Sequence, residues 1–428
     1  MIESLHRLIA FAREHSQLYI YGAGEYGKLV ACFLDEQELP WFGFVQTEVN
    51  EANSHCILDK RVAQVEEVIS KSNINNAGFI IAVSGSAQID ILHLLHDYGV
   101  AKCDCWLLSE SEHQSLLKDS VAYTGEYSPL NYINVLLYHR VAKLDIDVNM
   151  LAVTPEHFEE HIRFLKDQYH ILHMEDDWSN IREKSVVITF DDGYVDNFLN
   201  ALPILEKYKV PATIFVTTGN INSDAETWWD ELEHLLSCCN SPLEIMLDGK
   251  TYAFDLRKDF ADSYFKLHHI LWSKKHKERQ KLLEEVRHAC GDNLMPRDGY
   301  RSLTEEELRK LDDSPFITLG GHTVTHPCLA HEKVALQAWE IKESKKILER
   351  ILGHRVQTFS YPFGSRADFT AETVKLVRDA GYDKAVTGIQ ALASNPLDVN
   401  DAFLIPRHTI RDWPLVEFKR QLRRQWIF

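Results

Sequence analysis

The sequence has no run of about 18 uncharged apolar residues, so no helix is expected to cross a membrane. Its opening stretch, MIESLHRLIAFAREH, is broken by His6, Arg7, Arg13 and Glu14 and has no small-residue cleavage site, so it does not read as a secretory leader. Cysteines at paired metal-type spacings are also missing. The eight present (Cys32, Cys56, Cys103, Cys105, Cys238, Cys239, Cys290 and Cys328) are scattered, and the single residue between Cys103 and Cys105 is too few for a zinc knuckle. They read as reduced thiols of a cytoplasmic protein. An excess of positive charge is lacking too. With 46 basic against 64 acidic residues and a net charge of −18, a nucleic-acid backbone is excluded as the main partner. The short basic cluster at 419–424 reads as a solvated helix face. Internal repeats and low-complexity segments are absent.

What remains is a globular composition, 45% hydrophobic and 26% charged. A length of 428 residues calls for two or three domains. An amphipathic helix opens the chain, and a buried strand follows over 18–21. Next come Gly22-Ala-Gly24-Glu-Tyr-Gly27 and a helical run, the strand–turn–helix context of a dinucleotide fingerprint. Apolar runs at 42–45, 79–83 and 105–108 predict further parallel strands. Residues 1–112 are therefore expected to form a Rossmann-like domain. Where a ribose-holding acid would stand, the second strand is followed by Gln46, with Glu48 two residues on. Nucleotide binding through Gly22, Gly24 and Gly27 and a nucleotide-free scaffold or dimerisation role both stay open. A polar linker is expected over 113–129.

From residue 130 to 428 a second alternation sets in. Strand-like runs fall at 135–138, 186–190, 212–216, 317–319, 358–361, 384–387 and 403–405, with helical stretches between most of them, one opened by Thr154 with Pro155 at its first position. This predicts an α/β protein whose second domain is a distorted (β/α) barrel, with its site at the carboxyl ends of the strands. Residues 220–300, with Trp228-Trp229 near their start, read as a mostly helical insertion.

Polar clusters follow four of these strands. Asp191-Asp192-Gly193 places two carboxylates after a buried strand, costly unless a cation or a hydrogen-bond network holds them. An Asp-rich helix cap is the bland reading. His322 and His326 are four apart, so both can reach one ion if the segment coils into a turn. One carboxylate plus two imidazoles leaves positions open for water and substrate, as in a catalytic metal site. Ser360-Tyr361-Pro362-Phe363-Gly364 fixes a turn whose backbone N–H can face a developing oxyanion. Pro406-Arg407-His408 offers an imidazole able to protonate a leaving amine near neutral pH.

Taken in order, TFDDG, HTVTHP, SYPFG and PRH resemble the motifs of the polysaccharide deacetylase family, the NodB-homology domain, over roughly residues 130–412. The segment VLLYHRV at 135–141, the helix start at 154–158 and Trp228-Trp229 are similar to bacterial members. The resemblance implies Asp191 as base, Asp192, His322 and His326 as metal ligands, and the Phe363 N–H as oxyanion donor. Zinc is the default ion, although this donor set also suits cobalt, nickel or manganese. Two departures stand out. Many members carry an arginine where this chain has Ser360, and Arg407 is expected to supply that charge beside Asp191. The catalytic histidine of the family sits in a leucine-flanked motif, whereas His408 follows Pro406-Arg407; His408 is still the expected acid, with His139 at the end of the first barrel strand as the second choice. The implied reaction is hydrolysis of an N-acetyl or related acyl group on a sugar, with a nucleotide- or lipid-linked intermediate of surface-polysaccharide synthesis as substrate. Alternatives are a deformylase or ureide hydrolase on the same fold, a non-catalytic carbohydrate-binding or scaffold protein, and an oxidoreductase built on the N-terminal fingerprint. Oligomeric state is left open.

Overall fold

A computed structural model of the chain describes residues 2–37, 39–47, 60–71, 77–83, 87–109, 111–113, 116, 132–179, 181, 183–239, 242–247, 249–291, 294–394, 397 and 401–427. They fall into two compact units, Met1–Ser128 with Val416–Phe428 and Pro129–Leu415. Among the described residues no helix is long and apolar enough to cross a membrane.

The first unit is built on five parallel strands: β1 (Gln17–Tyr21), β2 (Gly43–Gln46), β3 (Val62–Gln64), β4 (Ala77–Ile81) and β5 (Cys105–Leu107), in the order β3-β2-β1-β4-β5. Side chains alternate across the sheet. Leu18, Ile20 and Ile80 enter one core with Leu29 and Leu34, while Tyr21, Phe79 and Ile81 enter another with Val65 and Leu95. Both faces are thus covered, as a parallel sheet requires. The order reverses between β1 and β4, the place where such sheets open a crevice. β3 was not foreseen, because three residues give too short a pattern. Glu48 and most of the expected linker over 113–129 lie outside the described residues; of that linker only His113 and Leu116 are placed.

The helix Leu415–Ile427 corrects the expected boundary of the second domain, since from Val416 onward it belongs to the first unit. Phe418, Leu422 and Trp426 form its buried stripe at helical spacing. The sequence reveals such a stripe but not which core it covers.

The second unit carries the strands β6 (Tyr132–Tyr138), β7 (Ser185–Phe190), β8 (Ala212–Val216), β9 (Ile317–Gly321), β10 (Thr358–Ser360) and β11 (Lys384–Val386), neighbours in that order and all parallel. Ile133, Val135, Val187, Phe215 and Val386 fill its interior. The segment after Phe403 closes the curled sheet, with Ile405 bridging Val386 and β12 (His408–Thr409) pairing with β6. Here the expected strand at 403–405 is corrected. Asp401–Phe403 is a 3-10 turn, and Pro406, lacking an N–H, separates the single bridge at Ile405 from the ladder at His408. Over 220–300 the insertion has helices Trp228–Cys238, Phe260–Trp272 and His276–Cys290 around their own core, plus an unforeseen hairpin, Leu243–Leu247 with Lys250–Phe254.

Candidate active site

Every strand that matters ends at the same edge of the sheet, and the polar clusters follow directly. After the six buried residues of β7, Asp192 takes φ +74° and Gly193 φ +71°. A left-handed turn by a non-glycine residue costs energy, and such turns concentrate at functional sites. Both carboxylates are 4% exposed. Asp191 is gripped by Arg407, with Nη1 donating to Oδ1 and Nη2 to Oδ2, each at 2.7 Å. Ser360 Oγ donates to the same Oδ2 at 3.0 Å and accepts from Arg407 Nη2 at 2.9 Å. Burial alone would raise the Asp191 pKa. The Arg407 guanidinium outweighs it, and the carboxylate is held well below its usual range.

After β9 the chain turns through Thr323 (φ +64°) and His326 (φ +49°). Glu340, on the helix Val334–Leu352, holds this turn by accepting from the Val324 and Thr325 N–H groups at 2.8 and 2.9 Å and from Thr325 Oγ1 at 2.6 Å. His322 donates through Nδ1 to the Ser360 carbonyl at 2.8 Å, which leaves its Nε2 facing Asp192. His322 Nε2 and His326 Nε2 each stand 3.4 Å from Asp192 Oδ1.

Three ligand atoms, one each from Asp192, His322 and His326, lie within 4.8 Å of one another. Asp192 Oδ1 is buried and accepts no hydrogen bond among the described residues. An orphaned buried carboxylate oxygen is expensive without a cation. Two donors about 2.1 Å from a tetrahedral ion stand about 3.4 Å apart, as the Asp192–His distances do. The residues present fit a divalent ion. Burial pushes the His326 imidazole down to about 3, which keeps it neutral, as a ligand must be.

Phe363, after β10, takes φ +60° and packs its ring on that of His326, with centroids 4.7 Å apart. Trp229 of the insertion meets the same imidazole at 4.6 Å. Phe363 and Trp229 line a cavity of about 280 Å³ with Asp191, Asp192, His322, His326, His139 and Arg411.

His408 is not among the residues brought together. Along the closing strand Arg407 and Thr409 point inward, so the residue between them faces the other way. Its Nδ1 pairs with Asn134 Oδ1 at 2.9 Å, and burial pushes its pKa down to about 4. His139, at the end of β6, does line the cavity. Its pKa is lowered by burial against the opposing pull of Asp192 and Asp191. No role for Ser360, Arg411, Trp229 or His268 follows from the sequence alone. Ser360 stands out as a departure from the family motif and Trp228-Trp229 as a similarity to it, whereas the pairing of Glu340 with Thr325 has no local signal at all.

The polysaccharide deacetylase family profile matches residues 179–240 and 267–385. YxkH of Bacillus subtilis (strain 168), a polysaccharide deacetylase by name, is 24% identical over 267 residues, covering 61% of this chain and 66% of that protein. The poly-beta-1,6-N-acetyl-D-glucosamine N-deacetylase of Staphylococcus aureus (strain MSSA476) is 31% identical over 155 residues, 34% of this chain. This chain thus spans just under two thirds of the first relative and 51% of the second. The solved Streptococcus pyogenes deacetylase PplD, in complex with acetate, aligns over 69% of this chain and 98% of its own, with 21% identity and a TM-score of 0.45.

Proposed function

We propose that this chain, whose residues 179–240 and 267–385 match the polysaccharide deacetylase family profile, is a metal-dependent hydrolase that removes an N-acetyl group from a sugar. The observation that carries the reading is the convergence of two imidazole Nε2 atoms on Asp192 Oδ1, a buried oxygen that accepts no hydrogen bond among the described residues. Asp192, His322 and His326 would hold a divalent ion, zinc by default, which would supply Lewis-acid polarisation and lower the pKa of a water. Asp191 accepts the proton of the attacking water, and Arg407 and Ser360 keep its carboxylate ionised and fixed. The Phe363 N–H donates to the oxygen that becomes negative as the amide carbon turns tetrahedral. His139, rather than His408, delivers the proton to the leaving nitrogen, because it lines the cavity and carries no competing side-chain hydrogen bond among the described residues.

The substrate is assigned to nucleotide- or lipid-linked sugars met in the cytoplasm. The first unit supports this assignment. A Cβ on Gly22 would meet Ala82 O at 2.7 Å and one on Gly27 would meet Gly22 O at 1.8 Å, while nothing lies within 4 Å of the position on Gly24. Two glycines are thus required for packing and the middle one leaves the backbone open, the division of labour of a pyrophosphate-binding turn. Acetate release by zinc-reconstituted protein from N-acetylated nucleotide-sugars and lipid-linked sugars, with Asp191→Asn as control, tests the function. Acetate that is absent in the control supports it. No acetate despite a bound ion points instead to formyl or ureide substrates.

A further inference from the structure

The cavity above the metal-binding residues holds a cation that hydrolysis of a neutral acylamino sugar does not require. Arg411 lines it beside Asn149, Leu151, Trp229 and His268. Its Nη1 donates to the backbone carbonyls of Asn149, at 3.1 Å, and Met150. Among the described residues it has no ion pair. Asp147, the acid whose charge acts on it, spends its two oxygens on the N–H groups of Leu151 and Ala152, each at 2.9 Å. The other arginines of this edge differ: Arg407 is closed onto Asp191, and Arg140 donates to Asp196 Oδ2 at 2.9 Å. Burial works against the Arg411 charge and lowers its pKa. His268 adds no second cation, since burial pushes its own pKa down to about 4 and leaves it neutral beside Trp228. A half-buried guanidinium with no acid paired to it among the described residues is a cost in the free protein. An incoming carboxylate or phosphate relieves that cost, because the planar fork suits either anion.

We propose that Arg411 is an anion-reading residue of the substrate site, so that the acylated sugar carries a phosphate or carboxylate on or next to its ring. The inference rests on reading the cavity as an acylamino-sugar site. In a chain of net charge −18 this local cation also offsets the repulsion an anionic substrate would otherwise meet on approach.

The test compares N-acetylglucosamine 1-phosphate, an N-acetylglucosaminyl glucuronate disaccharide and neutral methyl N-acetylglucosaminide. Acetate release is measured on the full-length zinc-reconstituted protein, and binding of the same three compounds by calorimetry. One anionic compound should exceed the neutral one in kcat/KM by about tenfold or more, mostly through KM, and which one it is separates phosphate from carboxylate. Arg411→Gln should bring the ratio of anionic to neutral kcat/KM close to one, and Arg411→Lys should keep part of it. Added salt should erode the preference of the unmodified protein, a readout that survives if Arg411→Gln fails to fold. Equal treatment of the three compounds, or a loss in Arg411→Gln that leaves the ratio unchanged, overturns the proposal and reduces Arg411 to a staple for the loop at 149–150. Arg411-dependent binding of an anion without any acetate release would uphold the anion site and sink the hydrolase reading instead.

Discussion

Arg407 and Asp191, 216 residues apart in sequence, meet through two parallel hydrogen bonds of 2.7 Å, and both are almost wholly buried. Removing the guanidinium would leave a buried carboxylate without its bidentate cationic partner, held by the Ser360 hydroxyl, and breaking a buried pair in this way typically costs about 3–5 kcal/mol. Arg407→Met should therefore lower the urea midpoint sharply. It should also cut acetate release by about 100-fold or more, because the base is neither ionised nor fixed. Arg407→Lys keeps the charge without the bidentate geometry and should fall between. Unchanged activity in either variant would remove Arg407 from the site.

The two adjacent carboxylates should fail in different ways. Asp192 offers its oxygen to the ion, so Asp192→Asn should lose bound metal and turnover together. Asp191→Asn should keep the metal and lose rate, since that side chain is committed to Arg407 and Ser360. Metal content after gel filtration, read beside acetate release, separates the two. Full metal retention and full activity in both would refute the assignment of the pair.

This pair also marks how far the sequence could be read. Both aspartates, both histidines and the expected companionship of Arg407 with Asp191 were legible, because each cluster follows a buried strand and the carboxyl ends of parallel strands meet at one edge. The role of His408 was not. Which face a side chain takes depends on the register of β12 against β6, a two-residue ladder separated by Pro406 from the bridge at Ile405, and nothing local fixes it. The hold of Glu340 on the turn between His322 and His326 and the cavity lining supplied by Trp229 and His268 were equally hidden, since each joins segments that meet only through tertiary packing. β3 escaped because a three-residue strand has no period to detect.

Replacing the two histidines should settle which one delivers the proton. His139→Ala should cut kcat by about 10²–10⁴-fold and move the alkaline limb of the kcat profile. His408→Ala should leave that profile in place. Its cost should appear in the folded state instead, about 0.5–1.5 kcal/mol for the lost hydrogen bond between His408 Nδ1 and Asn134 Oδ1. Urea denaturation and pH–rate profiles of both variants make the comparison. A larger kcat loss in His408→Ala would return the acid role to it.

His161 ties acid stability to the core of the second unit. It is fully buried, its Nε2 donates to the Trp413 carbonyl at 2.7 Å, and burial pushes its pKa down to about 4. In the unfolded chain an imidazole titrates near 6.5, so between about pH 6.5 and 4 the unfolded state binds the extra proton. Stability therefore falls as pH drops through that window, by on the order of 3 kcal/mol from this group alone. His161→Gln, which keeps a donor for Trp413 and does not titrate, should be less stable than the unmodified protein at pH 8 but lose less on acidification. The measurement is the urea midpoint at intervals from pH 8 to pH 4, with the two curves converging as pH falls. Parallel curves would mean that His161 titrates in the fold as it does in the unfolded chain, and the acid sensitivity would then belong to other groups.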